Sequence, residues 1–371
     1  MQVQFANLKA QYEAYKHEIN DTMMRVMKSG HYIMGKEIAE CEKALAQLSG
    51  APFAFTCANG TDALLLAMMA IDLKAGDEII TTPFTFIAIA EMAALLGVKP
   101  VFVDIEADTY NIDVSQIENV ITSKTRAIIP VSLYGQPANM NEINAIAFEH
   151  SKTIAHKIYV IEDAGQSFGA SYQKKRSCNL SEIACTSFFP SKPLGCAGDG
   201  GAIFTSNQEL AKKIDALRVH GQTGRYYHEY IGVNGRFDTL QAAILLIKLK
   251  YFPEEINRRQ AIAKRYNDEL AGLDLSLPFV KSDRLSVYAQ YTVRVKNREA
   301  VRHHLESNGI PTAVHYPMPL HLQPCFAYLN HQVGDFFVSE KAAAEVLSLP
   351  MSAFLTEEEQ DYVVMHLKGS L

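Results

Sequence analysis

No stretch of 18 consecutive apolar residues occurs in the 371-residue chain, so no transmembrane helix is expected. The opening Met1-Gln2-Val3-Gln4-Phe5 lacks a basic segment followed by a long apolar one, the mark of a secretory signal. The six cysteines are scattered, without a CxxC pair or the Cys/His spacing of a metal site. That usage fits reduced thiols in a cytoplasmic protein, and no metal is expected. Cys57 and Cys196 read as small packing residues. Basic charge is not in excess: the net charge of −6 argues against binding to nucleic-acid phosphates. No GxxxxGK[ST] is found, so a nucleotide P-loop is not supported. Internal repeats and low-complexity segments are also missing. What remains is an ordinary globular composition, 48% apolar and 20% charged, long enough for about two domains.

Short apolar runs alternate with helical patterns between residues 50 and 245. Strands are expected over Ala51–Thr56, Glu78–Thr82, Lys99–Val103, Ala127–Val131, Lys157–Ile161 and Ala202–Thr205. Helices are expected over Asp62–Ile71, Phe86–Leu96 and Asn141–Ser151, the last extended by the surface segment to His156. Such alternation predicts an α/β fold with crossover helices on both faces of a mainly parallel sheet. In sheets of this kind ligands bind beyond the carboxyl ends of the strands. Helical character runs from Leu240 to Leu273, past Pro253. The sequence then alternates shorter strands (Tyr288–Val295, Thr312–His315) with helices (Arg298–Asn308, Ser339–Val346, Glu357–Lys368). We therefore expect a large α/β domain over 1–248 and a smaller α+β domain over 249–371.

Two segments carry chemistry together. Val160-Ile161-Glu162-Asp163 reads as a buried parallel strand ending in a carboxylate. About thirty residues on, Ser187-Phe188-Phe189-Pro190-Ser191 delivers Lys192 into a loop of Pro, Ser and Gly. A lysine among apolar and small neighbours is desolvated, which lowers its proton affinity and makes it a nucleophilic amine. Pyridoxal 5'-phosphate (PLP) needs this pair: a lysine for an imine bond and an acid facing the pyridine nitrogen. Asn59-Gly60-Thr61-Asp62 links a strand to a helix. It fits an ordinary N-cap turn, and equally a phosphate cradle built on the Gly60 and Thr61 amides, with hydroxyls from Thr61 and Ser187.

These residues, with Cys57–Ala63, Glu162–Ser167, Ser187–Lys192 and Asn234–Asp238, make the chain resemble the DegT/DnrJ/EryC1/StrS family of PLP-dependent sugar-nucleotide aminotransferases. The resemblance runs from Phe5 to Pro350. It implies the aspartate aminotransferase-like PLP-dependent transferase fold (fold type I), with the PLP site in the large domain. It implies that Lys192 and Asp163 are catalytic, that Gly60, Thr61, Ser187 and Asn234 hold the phosphate, and that Gln166 meets the ring oxygen. Phe86 stacks on the ring by the resemblance, although an aromatic in such a run also reads as core. Arg236 is implied to bind a substrate carboxylate, which suits a planar guanidinium. His315 and Tyr316 are implied to line the substrate site. The resemblance further implies a homodimer with shared sites, in which Asn234, Arg236, His315 and Tyr316 come from the neighbouring subunit. His220 stays open; His150, His156 and His331 read as surface residues. Within the family, Arg176–Ser181, Ser187–Cys196 and Ala313–Pro317 resemble members that pass an amino group from L-glutamate, leaving 2-oxoglutarate, to a UDP-linked 3-keto-N-acetyl-hexuronic acid. Three readings compete: a different keto-sugar nucleotide such as a 4-keto-6-deoxy hexose, a sugar dehydratase, and a non-catalytic PLP-binding sensor. The dehydratase relatives carry histidine where this chain has Lys192.

Overall fold

A computed structural model describes all 371 residues. Its centre is a seven-stranded sheet. The strands are β1 (Phe53–Cys57), β2 (Glu78–Thr81), β3 (Lys99–Phe102), β4 (Thr125–Ile128), β5 (Tyr159–Asp163), β6 (Ile183–Ser187) and β7 (Gly201–Thr205). They lie in the order β1-β7-β6-β5-β4-β2-β3. Every pair is parallel except those made by β7, which runs against both β1 and β6. The sheet is thus mainly parallel, as the alternation predicts. β2 and β7 are buried along their whole length, which is why neither alternates apolar with polar residues along its middle.

The helices are α1 (Leu8–Ser29), α2 (Lys36–Ser49), α3 (Gly60–Ala70), α4 (Ala88–Leu95), α5 (Met140–Thr153), α6 (Gln208–Leu217), α7 (Thr239–Leu270), α8 (Arg298–Ser307), α9 (Phe337–Glu345) and α10 (Glu357–Lys368). α3, α4 and α6 share one core with the sheet, built on Leu66, Met68, Ile79 and Ile203. α2 and the first half of α7 close the sheet near β1 around Leu45, Phe204 and Leu245. Pro253 lies inside α7, where it removes one amide without ending the helix.

A third core gathers the end of α7, α8, α10 and the antiparallel pair β8 (Tyr291–Arg294) and β9 (Val346–Leu349). The expected helix through Val346 stops at Glu345, because the β-branched and leucine residues that follow pair with β8. The expected strand at Thr312–His315 is reduced to a single bridge, Ala313 to Ser348. Val3 belongs to this core, and the Val3 amide donates to the Gly309 carbonyl at 3.1 Å. The N-terminus is therefore stitched to the C-terminal unit. The 248/249 boundary falls within α7.

Candidate active site

The parallel strands all deliver their carboxyl ends to one edge of the sheet, and a cavity of about 640 Å³ opens there. Asn59, Gly60 and Thr61 enter from the β1–α3 turn, Thr85 and Phe86 from beyond β2, and Val131 from beyond β4. Asp163 caps β5, and Ser187 caps β6. Phe189 and Lys192 follow on the next loop. β7 runs the other way, so Asp199, just before it, reaches the same edge. The C-terminal unit adds Gln290, His315 and Tyr316.

The turn at Gly60 is shaped for close approach. A Cβ there would lie 2.6 Å from the Ser187 Cβ, and one at Gly201 would lie 2.4 Å from the Asn59 carbonyl oxygen. Bare glycine backbone lets the start of α3 press against β6 and β7. Asn59 caps α3 by accepting the Asp62 amide at 2.7 Å. The Gly60 and Thr61 amides have no carbonyl one turn earlier, so they are ready donors for an anion.

Asp163 and Lys192 face each other across this space. Both are partly buried and open to the cavity. Burial raises the proton affinity of Asp163, opposed by the Gly165 amide, which donates to Oδ1 at 2.9 Å, and by the Lys192 charge. Burial lowers that of Lys192, opposed by attraction to Asp163. Gln166 accepts the Tyr134 amide at 2.7 Å and donates to the Tyr316 hydroxyl at 3.3 Å. One of its amide hydrogens remains for a ligand. Phe86 is 56% exposed and tilted towards Tyr316 with ring centroids 6.3 Å apart, so it is a wall residue rather than core.

His315 and Tyr316, expected from a neighbouring subunit, line the cavity of their own chain. The single bridge at Ala313 and the bond from the Tyr134 hydroxyl to the His315 carbonyl bring them there. Burial, then the Lys192 charge, lowers the His315 pKa to about 4, so its imidazole is neutral at pH 7. Burial and the Asp163 charge raise that of Tyr316.

Asn234 and Arg236 do not line this cavity. Their segment is fixed behind it, with the Ala58 amide donating to the Gly235 carbonyl at 2.9 Å and Val219 bridged to Asn234. Asn234 is exposed, and the Arg236 Nε is buried without a partner. His220 is exposed and left-handed at φ 64°. His150, His156 and His331 are partly buried, not fully exposed, and face Glu118, the Thr125 carbonyl and Asp335 respectively. Cys57 and Cys196 are buried; the Cys196 thiol donates to the Phe188 and Gly198 carbonyls.

Sequence reasoning passed over several wall residues. Phe189 was visible as an aromatic three residues before Lys192, while Gln290, inside an apolar strand pattern, carried no signal of its own. Glu162 was read only as strand. It is fully buried and accepts from the Ser177 hydroxyl and the Cys178 and Leu180 amides, which ties the 177–180 segment to β5. Burial pushes its pKa up to about 7 against those three donors.

The residues fit PLP on structural grounds. A glycine turn that a Cβ would fill sits at a helix N-terminus, with a lysine and a carboxylate opposed in the same enclosed space. Comparison with known proteins agrees. Residues 13–368 match the model of the DegT/DnrJ/EryC1/StrS aminotransferase family. The chain is 53% identical to a UDP-2-acetamido-2-deoxy-3-oxo-D-glucuronate aminotransferase of Pseudomonas aeruginosa, over 95% of this chain and 96% of that one. It is 41% identical to a dTDP-3-amino-3,6-dideoxy-alpha-D-galactopyranose transaminase of Aneurinibacillus thermoaerophilus, over 98% of each. Among solved structures it resembles ntda of Bacillus subtilis with bound cofactor PMP. That match has a TM-score of 0.91 and 31% identity, over 99% of this chain and 84% of that one.

Proposed function

Given that the chain belongs to the DegT/DnrJ/EryC1/StrS family and is a PLP-dependent sugar aminotransferase, we propose that it moves an amino group from L-glutamate to a UDP-linked 3-keto-N-acetyl-hexuronic acid. The product is a 2-acetamido-3-amino uronate for surface polysaccharide. The observation carrying the acceptor is the 53% identity, over almost all of both chains, to the Pseudomonas aeruginosa enzyme named for that sugar.

Bound PLP supplies an electron sink for the carbanion left by proton loss. The chain's own groups do the rest. Lys192 would hold the cofactor, and its Nζ is the group that would take and return the substrate proton. Its lowered proton affinity suits both tasks. Asp163 would face the ring nitrogen and favour its protonated form. The Gly60 and Thr61 amides and the Ser187 hydroxyl would hold the phosphate, and Phe86 would pack against the ring. Neutral His315, with Tyr316, orients substrate by hydrogen bonds rather than by charge.

The wall carries three carboxylates, Asp62, Asp163 and Asp199, against one ammonium, Lys192. A phosphate and substrate carboxylates need further cations there. Arg236, which is partly exposed, is suited to supply one from a second copy, and exposed Asn234 to join the phosphate. The ribbon before them supports that reach: Tyr226, Tyr227 and Ile231 are 83%, 65% and 91% exposed.

A second reading, amination of a deoxy keto-sugar on another nucleotide, is favoured by the 41% identity to the dTDP-sugar transaminase. One experiment separates them. The enzyme is converted to its amino form with glutamate, freed of donor, and mixed with the UDP-linked 3-keto uronate or with its neutral hydroxymethyl analogue. A site that pairs a cation with the sugar carboxylate leaves that cation unpaired with the neutral sugar. The acid should therefore be aminated far faster, and equal rates would remove the uronate assignment while keeping the aminotransferase.

A further inference from the structure

Lys248 lies on the face of α7 that packs beneath the Lys192 loop, and it is only 7% exposed. Its Nζ donates to the Gly195 carbonyl at 2.7 Å, and this is its one hydrogen bond in the structure. No carboxylate lies within ion-pair distance. Glu255, two turns along α7, attracts it from further away while spending its own oxygens on Gln11 and Tyr15. A buried ammonium held by one carbonyl is costly, and replacing such a charge by an apolar side chain of similar volume is often neutral for stability. Packing alone therefore does not account for an ammonium at this position.

The carbonyl it holds belongs to the loop that carries Lys192. That loop closes on itself through the Lys192 amide to the Phe189 carbonyl at 2.9 Å and the Cys196 amide to the Phe188 carbonyl at 2.8 Å. It is tight at Gly195, where a Cβ would lie 2.5 Å from the Pro190 carbonyl oxygen. Only two side chains of α7 bond its far end: Lys248 at Gly195, and Gln241, whose Oε1 accepts the Ala197 amide at 2.8 Å. α7 packs against the sheet, so these two bonds tie the far end of the Lys192 loop to it.

We propose that Lys248 is a positioning residue. By anchoring Gly195 it fixes the Lys192 amine where it would add to the aldehyde carbon of PLP, the C=N bond forming as the aldehyde oxygen leaves as water with the two amine protons. This rests on Lys192 being the attachment residue.

The test measures attachment rather than turnover. Apoprotein is mixed with PLP, quenched with borohydride at timed intervals, and the modified lysine is identified by mass spectrometry. Lys248→Met should attach PLP to Lys192 slower by roughly tenfold or more, the usual consequence of a displaced reacting group. Its affinity for pyridoxamine 5'-phosphate, which needs the phosphate cradle but no lysine bond, should be unchanged. Lys248→Arg should recover most of the rate. A folded Lys248→Met that attaches PLP at the wild-type rate overturns the proposal, as does an equal loss of pyridoxamine phosphate affinity. If Lys248→Met does not fold, Lys248→Gln carries the same test. If neither folds, the ammonium serves the whole fold and the positioning role is lost. Attachment elsewhere in Lys192→Ala would instead overturn the Lys192 assignment itself.

Discussion

Burial moves Asp163 up and Lys192 down, so the proton affinities of two groups that differ widely in water converge inside one cavity. The shift of Asp163 is opposed by the Gly165 amide and then by the Lys192 charge, and that of Lys192 by the Asp163 charge. In Asp163→Asn the shape is kept and the charge is lost. The ring nitrogen of PLP then has no anion to hold its proton, and removal of the substrate proton should slow by about 10²-fold or more. Stopped-flow absorbance of the glutamate half-reaction measures this directly, and a near-wild-type rate would show that hydrogen bonding, not charge, is what Asp163 supplies. Asp163 and Lys192 were readable as a candidate pair because a carboxylate ends an apolar run and a lone lysine follows in a Pro, Ser and Gly loop; the structure sets both on one cavity. Gln290 and Glu162 were not readable, since a polar residue within an apolar strand shows its use only when its neighbours are known.

At the scale of elements, the β1–α3 turn is the part most exposed to a single atom. Gly60→Ala puts a methyl 2.6 Å from the Ser187 Cβ, on a rigid strand that yields little. The start of α3 must move away, at a cost on the order of 1–3 kcal/mol for overpacking. The amides that cradle the phosphate move with it. We expect a lower melting temperature and a loss of pyridoxamine 5'-phosphate affinity together, read by calorimetry and by titration. Retained affinity would mean that the phosphate is held by the Thr61 and Ser187 hydroxyls without these amides. Six of the seven sheet strands were legible from the spacing of apolar runs because both faces of the sheet are covered; β6, Ile183–Ser187, was not, since its small and hydroxyl residues make no apolar run. α1 was not: its buried set is Gln11, Ile19, Thr22 and Val26, half of it polar, so it shows little helical period of apolar residues. β9 was hidden for another reason, since Val346–Leu349 continues a helical pattern and is drawn into a strand by pairing with β8.

At the scale of the whole molecule, the excess of carboxylates in the cavity and the exposed ribbon at Tyr226–Ile231 motivate a dimer with shared sites. Each site would then combine Lys192 of one copy with Arg236 of the other. Mixing inactive Lys192→Ala with inactive Arg236→Ala chains should restore up to about a quarter of wild-type sites, since in a two-fold pair of mixed chains one site of two is whole. Activity of the mixture, after mass spectrometry has verified subunit exchange, is the measurement. An inactive mixture of exchanged chains would place both residues in the same copy's site.

The sequence alone determined the α/β class, the mainly parallel sheet, PLP as cofactor and the central pair Lys192 and Asp163. These depend on local matters: the period of apolar residues, the glycine turn, and a charge stranded at the end of a buried run. Tertiary structure alone decided which of the candidate residues line the cavity of this chain. It brought His315 and Tyr316 to their own cavity, left Asn234 and Arg236 outside it, and set Lys248 under the Lys192 loop. Those placements follow from how β8 and β9 pair and how α7 lies across the sheet. Contacts between residues tens or hundreds of positions apart leave no periodic trace along the chain.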